Sequence, residues 1–233
     1  MNRLLNLICV LPLIFLVGCT PDYVKVDLYT SDLQDAFMGK VIEVPAEMQF
    51  SGHLGDDADN NVQQVIQLSK KFLGKSAEYT RSKGQLGEEV IVVKVQIPMG
   101  NKAQLTNHLN KAENKNTPLV LLSDPVNRSV SLLTLDSMEN FNRQMLAINF
   151  MLQMEMIPTV LTYNIVSDEK VVYKVSGQSV FVNGKPYLSF EKNLKRRESV
   201  AFDFSGQEGS IWKTKELRPS VFISNPLGTN KTQ

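Results

Sequence analysis

The fold of the C-terminal half is indicated most clearly by the stretch SVFVNGKPYLSF (residues 179–190). Asn183 and Gly184 separate two short runs of apolar, β-branched and aromatic residues there. This dipeptide is typical of a two-residue type I′ turn, because both turn positions need positive φ angles that Asn and Gly tolerate. The stretch therefore predicts a β-hairpin.

Further β-rich runs surround this hairpin at close spacing. They cover residues 159–166, 170–175, 200–204 and 221–223. Many short strands in succession predict an antiparallel sheet or a small sandwich over residues 158–224. Residues 225–233 have no apolar anchor beyond Leu227 and are expected to form a flexible tail.

Residues 19–157 show helix and strand patterns in alternation. Residues 23–28 and 42–50 alternate apolar and polar side chains as half-buried strands do, and Pro45 inside the second run predicts an edge position or a bulge. Residues 30–37, with Gly39 as the stop, and residues 62–73 have the spacing of helices.

The longest helix is predicted to begin at Ser137. Its apolar residues repeat every three or four positions and are Met138, Phe141, Met145, Ile148 and Leu152. Such a helix should be largely buried. We therefore expect an α+β fold, in which a mixed N-terminal α/β part with one long buried helix (residues 19–157) precedes the β-rich part (residues 158–224).

The composition is that of a globular, water-compatible chain. Of the 233 residues 42% are hydrophobic, and 25 Lys and Arg stand against 24 Asp and Glu. A balanced charge produces no overall field that would attract nucleic acid, so we expect no nucleic-acid partner.

The first eighteen residues have the pattern of a signal peptide. Arg3 precedes a mostly apolar run that continues to Leu16, which is too short to span a bilayer. The run ends in Leu16, Val17 and Gly18, followed by Cys19, which looks like the lipobox of bacterial lipoproteins. That resemblance implies recognition of Leu16–Gly18 by a signal peptidase, and a diacylglycerol with palmitate-like acyl chains on the Cys19 sulfur.

Lipidation would remove every thiol from the folded part of the protein. Cys9 lies in the signal peptide and Cys19 carries the lipid, so we expect no disulfide, thiolate metal site or cysteine nucleophile in residues 20–233. Thr20 and Pro21 lack the Asp that, in enteric lipoproteins, retains the protein at the inner membrane. The resemblance therefore implies attachment to the periplasmic face of the outer membrane.

No pattern of residues indicates a catalytic site, a metal site or a cofactor. His53 and His108 are the two histidines, and neither has the spacing of a zinc ligand pair. Asp57 opens a calcium-like acidic stretch that lacks the required Gly and the bidentate Glu. The serine-hydrolase, phosphate-loop and dinucleotide motifs do not occur either.

Two surface features remain as candidates for binding. Lys192, Lys195, Arg196 and Arg197 form the one dense basic run, which is either a solvated hairpin end or a contact to phosphate groups of lipid. The Met-rich stretch from Met138 to Met156 is either plain core or an adaptable apolar groove.

Three segments resemble a family of functionally uncharacterised lipoproteins from enteric bacteria and their phages. Residues 26–33 and 39–46 are similar to the opening strand, the Ser-Asp-Leu helix and the Gly-Lys-x-x-x-Val-Pro-Ala strand of these proteins, and residues 180–186 are similar to their closing hairpin. These motifs are structural, so the resemblance implies no active site. Its phage members favour a role in envelope modification or exclusion.

We therefore expect a lipid-anchored periplasmic protein that acts as a non-enzymatic binding module for another envelope protein. One alternative is a carrier of lipid or another apolar ligand between the long helix and the sheet. The other alternative is a hydrolase with carboxylate chemistry.

Overall fold

The protein is described here by a computed structural model. The structure describes residues 23–52, 54, 57–74, 77–84, 87–148, 160–205 and 220–224.

Strands dominate the described residues, and four α-helices accompany them. The helices are α1 (Thr30–Phe37), α2 (Ala58–Leu73), α3 (Lys102–Leu109) and α4 (Asp136–Ile148), with a 3₁₀ turn at Ala112–Asn114. The strands are β1 (Tyr23–Tyr29), β2 (Ile42–Gly52), β3 (Glu78–Lys83), β4 (Glu89–Gly100), β5 (Leu119–Asp124), β6 (Ser129–Thr134), β7 (Val160–Val166), β8 (Tyr173–Val182), β9 (Lys185–Leu194), β10 (Ser199–Ser205) and β11 (Ser220–Ser224).

Nine of these strands form a closed ring in the order β1-β2-β4-β5-β6-β11-β8-β10-β7, and β7 pairs with β1. Outside the ring, β3 pairs with β4 and β9 pairs with β8. The expected α+β fold with a separate sheet or sandwich is therefore wrong. The chain forms one closed nine-stranded β-barrel with two additional strands.

The strand pairs that close the barrel join distant parts of the chain. β1 lies parallel to β7 from Tyr23 beside Val160 to Tyr29 beside Val166, and β6 pairs with β11. Local periodicity reveals that a segment is a strand but not which strand it pairs with, which is why the sequence did not predict the ring. The ring combines strands from before and after residue 158. The expected domain boundary at that residue stays a prediction.

Pro45 lies in β2, which has a neighbouring strand on both sides. Its register partner in β4 is Gln96, while the ladder with β1 covers only Ala46 to Met48. Proline lacks the N–H that a ladder needs. Pro45 is therefore accommodated beyond the end of the β1 ladder, although β2 is not an edge strand.

The ring closes at a bend in β8. Seven of the nine neighbouring pairs are antiparallel and two are parallel. Each antiparallel pair reverses the strand direction, and a ring of straight strands with an odd number of reversals would not return to its starting direction. At least one strand must therefore turn through more than 90°. β8 has the features of that turn: residues 174–177 pair with β11, Ser179 has a φ of 51°, and Phe181 pairs with β10.

Gly177 is required at this bend because the β10 side chain of Phe202 packs directly on its backbone. A Cβ atom at Gly177 would lie 2.9 Å from Cδ1 of Phe202, which is fully buried. The adjoining hairpin turn has the predicted conformation, since Asn183 and Gly184 have φ angles of 52° and 73°. The predicted β-hairpin is confirmed as β8–β9.

The helices α2 and α4 pack on each other and on the barrel through aromatic rings. The Phe141 ring of α4 lies 5.3 Å from the Phe72 ring and 6.0 Å from the Phe50 ring, measured between centroids. Met138 and Met145 are buried on the same face, as predicted. Leu146 is 39% exposed, so this helix has a more polar outer face than the sequence suggested.

Candidate functional site

The predicted lipid attachment site lies outside the described residues. Cys19 and the peptidase recognition residues Leu16, Val17 and Gly18 belong to residues 1–22. The described chain begins with β1 at Tyr23. The chain length from Cys19 to Tyr23 is therefore the one structural limit on where an anchor would lie.

The basic run is placed mainly in the turn between β9 and β10. Lys195, Arg196 and Arg197 are exposed there, and Lys192 lies on β9 with its Nζ donating to the carbonyl oxygen of Ser199 at 3.0 Å. The turn is well ordered by hydrogen bonds: the Lys195 N–H donates to the Glu198 carboxylate at 3.0 Å. These cations therefore form an exposed turn. Their contact with phosphate stays a prediction.

This basic turn lies at the end of the barrel where β1 and β7 finish. The Arg197 N–H donates to the carbonyl oxygen of Ser167, the residue that follows β7. Val166 in turn lies beside Tyr29 at the end of β1. The basic turn is thus separated by the length of β1 from Tyr23, where the chain enters the barrel.

Asp168 joins this end of the barrel to helix α1. Its carboxylate accepts hydrogen bonds from Thr30 Oγ1 at 2.8 Å and from the N–H and Oγ of Ser31 at 3.1 and 2.5 Å. Burial disfavours the charged form of Asp168, but the hydrogen bonds from Ser31 and Thr30 outweigh it and lower the pKa. Asp168 therefore caps the helix from a distant part of the chain, which is a structural role.

A cleft opens beside the same end of β1, between the barrel and two helices. It has a volume of about 830 Å³ and is bordered by the C-terminal end of α2, by α3 with its 3₁₀ extension, and by β2, β4 and β5. Phe72, Ile97 and Leu119 contribute apolar wall, while Lys71 and Asn114 contribute polar groups. Volumes in this range and walls of this mixed kind are typical of ligand sites.

The cleft contains a carboxyl group paired with an imidazole. Nε2 of His108 on α3 lies 3.5 Å from Oε1 of Glu43 on β2. The His108 side chain is 19% exposed and that of Glu43 is 47% exposed. Burial raises the pKa of Glu43, and a positive charge on His108 offsets part of that rise. The pair can thus both donate and accept hydrogen bonds to a polar ligand.

The position of the cleft along the barrel follows from the strand register. β2 runs antiparallel to β1 with Val24 beside Met48 and Val26 beside Ala46. Extending this register brings Glu43 level with Tyr29, the last residue of β1. The cleft is therefore at the end of β1 opposite to Tyr23.

The sequence did not predict that Glu43 and His108 meet. Alternation in β2 placed Glu43 on the polar face, and His108 lies in a segment with only a weak helical pattern. The two residues are brought together by tertiary packing of α3 on the sheet, for which no local signal exists. His53, the other histidine, lies outside the described residues.

The described part of the acidic stretch with a calcium-like pattern makes contacts within the protein. The Asp59 carboxylate lies 2.5 Å from Nη1 of Arg81 on β3, and Asp57 accepts a hydrogen bond from Asn60. Among the residues that the structure describes, no group of three or more His, Cys, Asp or Glu is arranged to hold a metal ion. Asp59 is therefore part of an ion pair with β3.

The same Arg81 also binds a buried glutamate. Nε of Arg81 lies 2.8 Å from Glu89 on β4, and Lys83 contacts the other carboxylate oxygen. The Glu89 side chain is only 2% exposed. Hydrogen bonds from Arg81 and then from Lys83 lower the pKa of Glu89 to about 2. This cluster fastens β3 to the barrel, and sequence analysis missed it.

No helix in the described ranges is both long enough and apolar enough to cross a membrane.

A family model with the description "Domain of unknown function (DUF7424)" matches residues 23–210. The matched range includes β1 to β10, the cleft and the basic turn. No curated protein and no solved structure matches the chain.

Proposed function

Since the chain belongs to the DUF7424 family of domains of unknown function, we propose a function from the geometry: it is a lipid-anchored, non-enzymatic binding module of the bacterial envelope. The expectation of an uncharacterised family is confirmed. The lipid anchor, the outer-membrane location and the link to phages are parts of the proposal. The cleft beside Glu43 is proposed as the site that receives the partner.

The proposed anchor and the cleft belong to opposite ends of β1. Four residue steps separate Cys19 from Tyr23, which limits the lipid-bearing residue to about 14 Å from the start of β1. β1 then runs for seven residues, or about 20 Å, away from that point. The cleft opens at the far end of β1, so a lipid at Cys19 would leave Glu43 and His108 on the side away from the membrane. The position of the cleft at the end of β1 opposite to Tyr23 is the observation that carries the proposal.

The character of the cleft fits a polar partner such as a loop of another envelope protein. Its walls combine the Glu43–His108 pair and Lys71 with apolar surface from Phe72 and Leu119. Mixed walls of this kind favour a peptide segment over a purely apolar ligand. The space proposed for a lipid, between α4 and the sheet, is occupied by the packed rings of Phe141, Phe50 and Phe72. This packing supports the binding module over the lipid carrier.

The anchor is tested by metabolic labelling with a fatty acid. We expect Cys19→Ala to abolish the label and leave an unprocessed precursor, because lipid transfer to the thiol precedes cleavage. Cys9→Ala is the matched control and should keep the label. Unchanged label in the Cys19→Ala variant would contradict lipidation at this residue.

The cleft is tested by placing a photo-crosslinking amino acid at Asn114 in the full chain expressed in its envelope. We expect an adduct of one defined mass at Asn114, lost when Glu43→Lys is added. The matched control is Val126, which is 88% exposed in the β5–β6 turn outside the cleft. The same adducts at both positions, or none at Asn114, would contradict a partner in the cleft.

The Glu43 carboxyl also supports a second candidate, a hydrolase with carboxylate chemistry. A raised pKa beside an imidazole and near Glu113 is the kind of environment that general acids use. Glu43→Gln separates the two candidates. In a binding module it should leave the Asn114 adduct in place, whereas in a hydrolase it should stop turnover of the captured partner and increase the amount of adduct.

A further inference from the structure

A second groove adjoins the cleft on the outer face of the sheet. It has a volume of about 340 Å³ and lies where strands β1 to β4 come together. Its charged walls are Asp27 of β1, Glu47 of β2, Glu78 of β3 and Lys94 of β4, and we call it the acidic groove. Gln96 of β4 lines both this groove and the cleft. The two depressions therefore meet at Gln96.

The acidic groove has more negative than positive charge. Three of its side chains are carboxylates, and Lys94 is the one cation that lines it. Nζ of Lys94 lies 3.8 Å from Oε1 of Glu47, and Nζ of Lys25 lies 3.7 Å from Oδ1 of Asp27. Glu78 is exposed and takes part in none of the ion pairs among the described residues. A positively charged group would complement this groove.

The main chain of Gln96 is directed away from β2. β2 and β4 are antiparallel, with Pro45 beside Gln96 and Glu43 beside Pro98. In such a ladder, residue pairs that exchange N–H···O bonds alternate with pairs that do not, and a proline cannot belong to an exchanging pair. Both pairs are therefore of the second kind, so the N–H and C=O of Gln96 point to the other edge of β4.

That other edge of β4 is interrupted beside the cleft. β3 pairs with β4 as far as Lys94, and β5 pairs with β4 only from Met99 onward. Among the described strands, none has a ladder pair with residues 95–98 on this edge. Gln96 and Leu119, on the two sides of the interruption, both line the cleft. The main chain of Gln96 is thus available to an extended segment where the two depressions meet.

We propose that the partner segment in the cleft is extended and basic, and that it crosses Gln96 so that a lysine or arginine side chain enters the acidic groove. This inference rests on the proposed function, because it assigns a chemistry to the same partner. Glu43 in the cleft and Glu47 in the acidic groove lie four positions apart on β2, or about 13 Å. About four residues of an extended segment therefore span both depressions.

The lysines that border the cleft do not oppose a basic segment. Nζ of Lys71 donates to Oε1 of Gln144 on α4 at 3.0 Å. Nζ of Lys70 lies over an aromatic ring of β3, 5.9 Å from its centroid. Both ammonium groups are therefore engaged by residues outside the two depressions. Glu43 and Glu113 remain as charged side chains of the cleft that attract a cation.

A photo-crosslinking amino acid at Lys94, in the full chain expressed in its envelope, tests whether the partner reaches the acidic groove. We expect an adduct with the same partner as at Asn114. Digestion and mass spectrometry should place both crosslinks in one short segment, with a lysine or arginine beside the crosslink formed at Lys94. Ser82 is the matched control, because it is exposed on β3, lies outside both depressions and is about 13 Å along the strand from Glu78. It should give no adduct.

Charge changes of opposite sign test whether the segment is basic. With the crosslinker at Asn114, Glu78→Lys should lower the yield of adduct about threefold or more, because it replaces an attractive charge by a repulsive one. Lys94→Glu should raise the yield, since it adds negative charge to the same groove. Damage to the fold would lower the yield in both variants, so the opposite directions separate recognition from misfolding.

The proposal is overturned if Asn114 gives an adduct and Lys94 gives none, or if the crosslinked segment contains no lysine or arginine. A change of yield in the same direction for Glu78→Lys and Lys94→Glu also overturns it, as does an adduct with twice the mass of the chain, which would identify a second copy. The first three outcomes leave a partner in the cleft. Absence of the Asn114 adduct from the otherwise unchanged chain contradicts the proposed function and this inference together.

Discussion

The two strands outside the ring, β3 and β9, are attached to the barrel by different kinds of contact. All six residues of β3 are exposed, and its Arg81 and Lys83 bind Glu89 of the barrel. β9 is held instead by aromatic packing: the Phe190 ring lies 6.0 Å from the buried Phe202 ring. Charged edges discourage strand addition, whereas an edge with exposed Leu188 invites it. The comparison teaches that an added strand can be a protective cover or a contact surface, depending on what fastens it.

The largest loss of stability is expected from removing the aromatic contact that holds β9 on the barrel. We expect Phe202→Ala to lower the free energy of unfolding by about 3–5 kcal/mol, because the side chain is fully buried against Gly177 and Phe190. Urea unfolding followed by circular dichroism measures this loss. Phe190→Ala, at a half-buried position, should cost less. If the two variants lost equal stability, Phe202 would stabilise the protein mainly through its contact with Phe190 on β9, and not through the barrel wall.

The corresponding change at the other added strand removes the ion pairs that hold β3. Glu89→Gln keeps the shape but removes the charge that binds Arg81 and Lys83, so we expect a loss of about 1–3 kcal/mol. Glu78→Gln, on exposed β3, is the control and should change stability by no more than about 0.5 kcal/mol. If the two variants unfold at the same urea concentration, the buried ion cluster does not hold β3.

Acid sharpens the comparison because β3 is fastened by a buried titrating group, Glu89. Hydrogen bonds from Arg81 and Lys83 lower the pKa of Glu89 from 4.5 to about 2. A lowered carboxyl pKa stabilises the folded state fully above the unfolded value and is lost as the pH falls through the folded value. The stability difference between wild type and Glu89→Gln should therefore be full at pH 6 and shrink between pH 4.5 and 2. A difference that is constant with pH would contradict this.

The smallest expected effect is on the exposed edge itself. Leu188→Ser removes a side chain that is 91% exposed, so the stability of the dilute protein should change by no more than about 0.5 kcal/mol. Thermal melts of the dilute protein measure this change. A large loss of stability in the dilute sample would show that Leu188 supports β9 within its own chain.

Local features of the fold followed from the sequence, and the closure did not. The alternation in β2, the stop of α1 at Gly39 and the positive φ angles at Asn183 and Gly184 are each determined by a few neighbouring residues. The parallel pairing of β1 with β7 and the bend in β8 depend on distant contacts. A fold class inferred from segments therefore gave an α+β protein where the chain forms a barrel.

The candidate site shows the same limit. Glu43 and His108 lie 65 positions apart and meet only because α3 packs beside β4 and β5. Neither residue lies in a motif, so no spacing rule brings them together. The basic run at Lys195–Arg197 was visible in the sequence because its residues are consecutive. Sequence reasoning found the cations and missed the cleft.

The pairing of β1 with β7 also determines when the barrel can form as the chain emerges. Tyr23 finds its neighbour Val160 only after 137 further residues have been made, and closure of such a long loop carries a large entropy cost. Until then, one edge of β1 stays bare, at the end of the chain that emerges first. Contacts of this range place the barrel among slowly folding topologies, with times of milliseconds to seconds and longer. The length of chain between β1 and β7 therefore limits how early this edge of β1 can be covered.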